Sequence, residues 1–274
     1  MNYRHAFHAG NFADVVKHLA LVSILTHLAK KTAPFAAIDT HAGRGLYDLA
    51  GEEAKRSGEA AAGIGRLSES MAGPETLMSY LALVRGCGAG RYPGSPWIAA
   101  SLLRARDRLV AIEKHPNDVQ ALGVALAPFQ RARTIAGDGY RQLTVLLPPP
   151  ERRGIVLIDP SYETPDEFEQ VVRAVAGIHR RFATGIALVW FPIKSRAAAD
   201  AFCGEVGLAG PRKLLRLDIE AGKVPEKLSA AGLLVVNPPF GFAGDMQAVL
   251  AAVAPHLGRD GPARTRIAWL GGEE

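Results

Sequence analysis

Six short apolar runs, at 35–38, 109–112, 154–158, 186–190, 233–236 and 267–270, punctuate the 274-residue chain. Each is long enough for a strand and too short for a buried helix, and stretches of helical length separate most of them. Strands joined by helical crossovers lie parallel, so the pattern predicts an α/β fold: an open, mostly parallel sheet with helices on both faces. Such a sheet gathers its ligand sites at the carboxyl ends of its strands. The residues that follow each run are therefore the candidates for chemistry.

Between 12 and 31, Val15, Val16, Leu19, Val22, Leu25 and Leu28 recur at helical spacing, and Lys30 and Lys31 close the last turn, where a helix dipole favours cations. An amphipathic helix leading into the first strand is predicted. The interval after that strand breaks the rhythm. Residues 46–106 are rich in Gly and Ala, with helical candidates near 74–85 and 95–106, the second announced by Ser95 as a cap and Pro96 at the first helical position. This stretch reads as a helical insertion subdomain within a core formed by 1–45 and 107–274. Its Arg85, Arg91, Arg104 and Arg106 suit solvated helix faces as well as phosphate contacts.

With 48% hydrophobic residues the chain can bury one large core. Thirty-two Lys and Arg against 27 Asp and Glu leave +5, compatible with a polyanionic partner without requiring one. Cys87 and Cys203 alone exclude a disulfide framework or cysteine zinc site, and His5 with His8 has no second pair at ligand spacing, so no metal is expected. The amino terminus lacks the apolar core of a signal peptide, and no stretch reads as apolar for long enough to span a bilayer. A cytoplasmic, membrane-free monomer is expected.

The run 154–158 ends in Asp159-Pro160-Ser161-Tyr162. An exocyclic amine on a nucleobase is a poor nucleophile because its lone pair is delocalised into the ring. A carboxylate at Asp159 and the backbone carbonyl of Pro160 can each accept one amine hydrogen, and the ring of Tyr162 offers the base a face to lie on. The partner reagent is suggested by the earlier strand ends. Asp39 begins a turn with Gly43 and Gly45, but no third glycine, no Gly-Lys-Ser/Thr and no phosphate binder follow, so the turn suits a nucleoside without phosphates. Glu113, ending the next run, can grip two ribose hydroxyls, while Asp138-Gly139-Tyr140 offers a carboxylate for an adenine amine and a stacking ring. Together these acids outline a pocket for S-adenosylmethionine. Tyr3, Arg4, His5 and His8 form a basic and aromatic opening segment suited to RNA phosphates and a base.

Two other classes remain compatible with the residues: a nicotinamide-dependent oxidoreductase, disfavoured by the truncated glycine pattern, and a non-catalytic RNA-binding protein, which would not need a carboxylate at each strand end. Among amino-methylating enzymes, adenine N6, cytosine N4 and a protein amide all present the same planar group to the same acceptors.

The segment 3–18 (YRHAFHAGNFADVVKH) resembles the amino-terminal signature of the RlmJ-type 23S ribosomal RNA adenine-N6-methyltransferases. Asp39-Thr40-His41-Ala42-Gly43, Tyr92-Pro93-Gly94-Ser95-Pro96, Glu113-Lys114-His115-Pro116, Asp138-Gly139-Tyr140, Trp190-Phe191-Pro192 and Asn237-Pro238-Pro239 are similar to that family's segments in the same order. The resemblance spans nearly the whole chain. It implies a class I S-adenosylmethionine-dependent methyltransferase with a Rossmann-like sheet and a helical insertion, acting on bare or partly assembled 23S RNA. It also implies that Lys17, His18, His41, Ser95, Glu113, Asp138 and Gly139 contact the methyl donor, that Asp159 is the active-site acceptor and that Tyr3 meets the RNA.

Ser161 stands where the family usually has a second proline, which stiffens the turn without adding a hydrogen bond. Activity is expected to survive, with the orientation of Tyr162 the point most exposed to the change. A rival tetrapeptide, Asn237-Pro238-Pro239-Phe240, also follows an apolar run. Its position near the sheet's far edge assigns it to a turn or pocket wall.

Overall fold

The structure, a computed structural model, describes residues 5–67, 71–224 and 227–272. The first half of the chain runs α1 (Phe12–Ala29), β1 (Ala36–Asp39), β2 (Leu46–Asp48), α2 (Glu52–Ser57), α3 (Glu59–Ala62), α4 (Glu75–Gly86), β3 (Arg91–Pro93), α5 (Ser95–Ser101), β4 (Arg108–Glu113), α6 (Pro116–Leu126) and β5 (Ala132–Ala136). It continues as α7 (Gly139–Leu146), β6 (Gly154–Ile158), α8 (Glu167–Arg181), β7 (Ile186–Pro192), α9 (Arg196–Leu208), β8 (Leu214–Glu220), β9 (Ala230–Val236), α10 (Phe242–Leu257) and β10 (Arg264–Gly271).

Eight strands form one sheet in the order β10-β8-β9-β7-β6-β1-β4-β5. β1 pairs in parallel with β4 on one side and β6 on the other, and β5 and β7 extend the parallel set. β9 runs antiparallel between β7 and β8, and β10 antiparallel along β8. Successive side chains of a strand point to opposite faces, so β6 sends Ile155 and Leu157 into one core and Val156 and Ile158 into the other. α1, α4, α5, α6 and α10 cover the first face; α7, α8 and α9 cover the second.

β8 has no counterpart among the apolar runs because Arg216 and Asp218 interrupt it. Both are buried, paired at 2.7 Å, and the Arg216 guanidinium lies 5.7 Å from the centre of the Phe191 ring. A buried charge is tolerated when it is paired in this way.

α1 begins at Asn11, whose side-chain oxygen accepts from the amides of Ala13 and Asp14 at 2.9 Å each. Every residue from Phe12 to Leu25 is buried, so the helix is enclosed on all sides instead of presenting the single apolar face its spacing predicts. By length and composition α1 could cross a bilayer, which corrects the expectation that no stretch is apolar enough. That apolar surface packs against the sheet, α4, α5 and α10.

Within 46–106, β2 and β3 form a separate antiparallel pair, and α5 leads directly into β4 and packs on β1 and β4. α5 has Gly94 as its capping residue, and the Ser95 hydroxyl turns to Asp39 instead of capping the helix amides.

Between β1 and β6 the chain's path across the sheet reverses: one half proceeds to β4 and β5, the other to β7. Ligands of open α/β sheets bind in the crevice at such a point. Asp39 pairs with Leu157, two residues before Asp159, so both acids emerge there.

Candidate active site

A cavity of about 540 Å³ opens over the carboxyl ends of β1, β4, β5 and β6. At one end lies the tetrapeptide loop. Asp159 Oδ2 accepts a hydrogen bond from Lys17 Nζ at 2.5 Å, and the same ammonium donates to Asp14 Oδ1 at 2.7 Å. Asp14 Oδ2 in turn accepts from the Gly10 amide at 3.0 Å and contacts His5 Nε2 at 3.0 Å. Lys17 and Asp14 are almost fully buried. Burial alone would lower the Lys17 pKa, yet Asp14 and Asp159 outweigh it and raise it. Burial would likewise raise Asp14, yet His5 and Lys17 hold it well below the usual carboxylate range.

At the other end are Glu113 and Asp138. Glu113 Oε2 accepts from the Gly43 amide at 2.8 Å, and Oε1 accepts from the amides of Lys114 and His115 at 2.7 and 2.8 Å. The carboxylate expected to grip a ligand therefore also shapes the turn around it. Asp138 caps α7 through the Arg141 amide and meets Lys114 Nζ at 3.2 Å. Burial would raise its pKa, but these partners lower it.

Two glycines are required by the packing here. Gly43 sits at φ +61°, and a Cβ on it would lie 2.2 Å from the Tyr47 hydroxyl. A Cβ on Gly139 would lie 2.1 Å from the Thr40 carbonyl oxygen. Neither position accepts a side chain without displacing its neighbour.

His18 is buried with Nδ1 2.8 Å from the Tyr92 hydroxyl, and burial pushes its pKa down to about 3. His41 contacts Thr40 Oγ1 at 2.8 Å, stands edge-on to Tyr140 at 5.0 Å, and is pushed down by burial to about 4. Both rings are neutral near pH 7. Ser95 Oγ donates to Asp39 Oδ2 at 2.6 Å, so Asp39 sits behind Ser95 and not in the cavity wall. Burial pushes the Asp39 carboxyl up to about 7.

Of the residues singled out in the sequence, Lys17, His18, His41, Ser95, Glu113, Asp138, Gly139, Asp159, Pro160 and His5 converge on this cavity. Tyr3 and Arg4 lie outside the described residues. Tyr162 does not line the cavity. Its hydroxyl donates to the Trp190 carbonyl at 2.7 Å, and its ring packs 4.6 Å from Phe168 and 5.7 Å from Trp190. The backbone at Tyr162 is left-handed, φ +54°, which turns the ring inward. Ser161 lines the cavity in its place.

Sequence reasoning missed Asp14, Tyr47 and Glu167. Glu167 is buried at the start of α8, accepting from Tyr140 at 2.7 Å and Thr164 at 3.1 Å, and so ties the tetrapeptide loop to the opposite wall. For Asp14 the available signal was an acid one helical turn before Lys17. The rival Asn237 lies at the far pole. β9 runs opposite to β6, and Asn237 Nδ2 donates to the carbonyls of Ala183 and Gly185 at 2.9 and 2.8 Å. It is a turn residue and does not enter the cavity wall.

A cavity at the switch point of a parallel sheet, walled by acids from successive strand ends, beside a strand reversed within the sheet, defines a class I methyltransferase fold. Comparison with known proteins agrees. Residues 32–271 match the family described as ribosomal RNA large subunit methyltransferase D, RlmJ. Ribosomal RNA large subunit methyltransferase J of Escherichia coli is 38% identical over 98% of this chain and 99% of its own length, and its Haemophilus influenzae namesake is 35% identical over the same shares. Protein LPL1258 from Legionella pneumophila superposes with a TM-score of 0.87 at 31% identity, covering 95% of this chain and 98% of that one. The chain belongs to the RlmJ family.

Proposed function

We propose that this protein methylates the exocyclic N6 amine of an adenine in 23S ribosomal RNA, bare or partly assembled, with S-adenosylmethionine as donor. The relatives' names point to large-subunit ribosomal RNA. The observation that carries the chemistry is the Asp159 carboxylate, held by a buried lysine at one end of a cavity whose other end is lined by Glu113 and Asp138.

The residues present fit the donor. Close packing of Gly43 on the Tyr47 hydroxyl and of Gly139 on the Thr40 carbonyl keeps bare backbone at the wall, and His115 Nδ1 is buried there without a hydrogen-bond partner, 3.7 Å from Asp118 Oδ2. Glu113 would take the ribose hydroxyls and Asp138 the adenine amine. His18, His41 and Ser95 add neutral polar surface for the remaining groups. Lys17 serves the acceptor side, through Asp159. Bound S-adenosylmethionine supplies a methyl group activated by a positively charged sulfur.

The target adenosine must leave its stack for its amine to reach the cavity. Lys17 occupies Oδ2 of Asp159, which leaves Oδ1 for one amine hydrogen, and the Pro160 carbonyl offers itself to the other. Accepting both hydrogens localises the nitrogen lone pair toward the methyl group, and holding the reactants in line removes much of the entropic barrier. Tyr162 positions this loop from beneath instead of stacking on the base. The test is transfer of labelled methyl to protein-free 23S RNA followed by nucleoside analysis. N6-methyladenosine is expected; label in cytosine, or none in RNA, overturns the proposal.

A further inference from the structure

Register brings four separate stretches to the pole of the sheet opposite the cavity. Ala36 pairs with both Arg108 and Gly154, and Leu109 pairs with Ala132, so the residues just before β1, β4, β5 and β6 lie side by side. Those residues are Lys30 and Lys31, then Arg104, Arg106 and Arg108, then Arg131, then Arg152 and Arg153. Eight cations stand there against two acids, Asp107 and Glu151, a larger excess than the +5 of the whole chain. Both acids are engaged, Asp107 by Arg104 at 2.7 Å and Glu151 by Arg108 at 2.9 Å. Lys30, Lys31, Arg106, Arg131 and Arg152 are exposed, and among the described residues none of them forms an ion pair.

The face is partly rigid. Arg104 donates to the carbonyls of Ala29, Lys31 and Ala33, and Arg153 to those of Leu28 and Ala33. The crowding of cations is felt by His27, whose pKa is lowered by burial and then by Lys30, Arg153 and Lys31.

An aromatic ring stands beside Lys30, at one side of this cationic face. The tetrapeptide that plays no part in the cavity leaves the sheet at this pole, and its Phe240 is 83% exposed. Phe240, His27 and Lys30 line one cleft of about 190 Å³. Two acids face that cleft. Glu75 is one, and Asp245 is the other, accepting from Ser23 at 2.5 Å and Thr76 at 2.8 Å.

We infer that this pole is a second RNA-docking surface, which holds a stretch of the substrate distant from the target base through its phosphates and one base stacked on Phe240. Cations with an adjacent exposed ring are the combination that single-stranded and looped RNA recognises, with charge supplying the affinity and the ring a stacking platform. Along α1 to its carboxyl cap, the thirteen steps from Lys17 to Lys30 rise about 20 Å at roughly 1.5 Å each. A hairpin whose stem is only a few base pairs long would end short of the far pole, whereas a long RNA fragment would reach it. The inference rests on the RNA substrate proposed above.

The test compares two RNAs: a long protein-free 23S fragment and the shortest hairpin the parental protein methylates. The variants are Lys31→Gln/Arg106→Gln/Arg131→Gln and Phe240→Ala, all exposed positions outside the cavity, with folding checked by thermal melting. The triple variant is expected to bind the long fragment about tenfold more weakly, with a salt dependence shallower by about 2 at roughly 0.7–0.9 per lost phosphate contact, and to methylate the hairpin at the parental rate. Phe240→Ala should weaken long-fragment binding without changing the salt slope. Equal losses on both RNAs, or no loss on the long one, overturn the inference. So does a triple variant that keeps RNA affinity but loses binding to phosphatidylglycerol vesicles, which would make the face a membrane contact. Absence of methylation on any RNA would instead overturn the proposed function, while long-fragment binding would still report on this pole.

Discussion

Lys17 Nζ lies 2.5 Å from Asp159 Oδ2 and 2.7 Å from Asp14 Oδ1, so one buried ammonium joins the amino-terminal helix to the loop after β6. Charge-assisted hydrogen bonds of this kind are short and directional, and this one engages Oδ2 of Asp159, the oxygen that the proposed mechanism does not assign to substrate.

Asp159→Ala should lower turnover by about 10²- to 10⁴-fold, the range for a positioned acid-base group, while donor affinity stays within a few fold. Single-turnover methyl transfer and calorimetry with the donor separate the two. A variant with near-parental turnover would falsify the assignment.

Lys17→Met leaves Asp14 in the core without its cation. Breaking a buried pair from one side costs about 3–5 kcal/mol, so denaturant melts should show a large loss. Asp14→Asn added to Lys17→Met should restore much of the stability and none of the turnover. If activity returned together with stability, Lys17 would be a purely structural residue.

Glu113→Gln should weaken donor binding by about tenfold to a hundredfold, equivalent to the 1.5–3 kcal/mol of a hydrogen bond to a charged group. The KM for RNA should move little. A matching rise in both would place Glu113 outside the donor site.

The pH dependence of stability has opposing contributions. Burial pushes Asp39 from 3.8 up to about 7, so between those values the folded chain keeps a proton that the unfolded chain has lost, and stability falls as pH rises through that window. At about 1.4 kcal/mol per unit this amounts to about 4 kcal/mol. His18 and His41, pushed down by burial to about 3 and about 4, act with the other sign: below their ordinary 6.5 the unfolded chain binds protons that the folded chain refuses. Asp39→Asn removes only the first contribution and keeps an acceptor for Ser95. Its gain over the parent should be near zero at pH 4 and grow up to pH 7 in urea melts. A gain independent of pH would contradict the burial-raised carboxyl.

Tyr162→Phe removes the hydrogen bond to the Trp190 carbonyl and should cost about 1 kcal/mol, with turnover nearly unchanged because the ring does not face the cavity. A loss of turnover beyond tenfold with donor binding intact would show that the hydroxyl works on the substrate.

Part of the site was legible because strand ends are legible: two of the apolar runs stop at a residue that the sheet presents to the cavity, Glu113 and Asp159. The direction of Tyr162 was not, since it depends on a left-handed backbone that an ordinary tyrosine code does not announce. β8 was hidden for a related reason. A strand with Arg216 and Asp218 in its middle reads as exposed until the two are seen to pair inside the core. The rival tetrapeptide was expected near the sheet's far edge, but β9 lies inside the sheet between β7 and β8, and its antiparallel course is what carries Asn237 and the exposed Phe240 to the opposite pole. The enclosure of α1 depended on α4, α5, α10 and the sheet, all brought to it from later in the sequence.

The two partners in the lysine–aspartate contact are 142 positions apart. A nascent chain emerging from its own ribosome carries the cation early and must wait for more than half its synthesis before the carboxylate arrives. Truncations ending anywhere before β6 therefore leave the buried ammonium without its second carboxylate, whatever else of the cavity they retain.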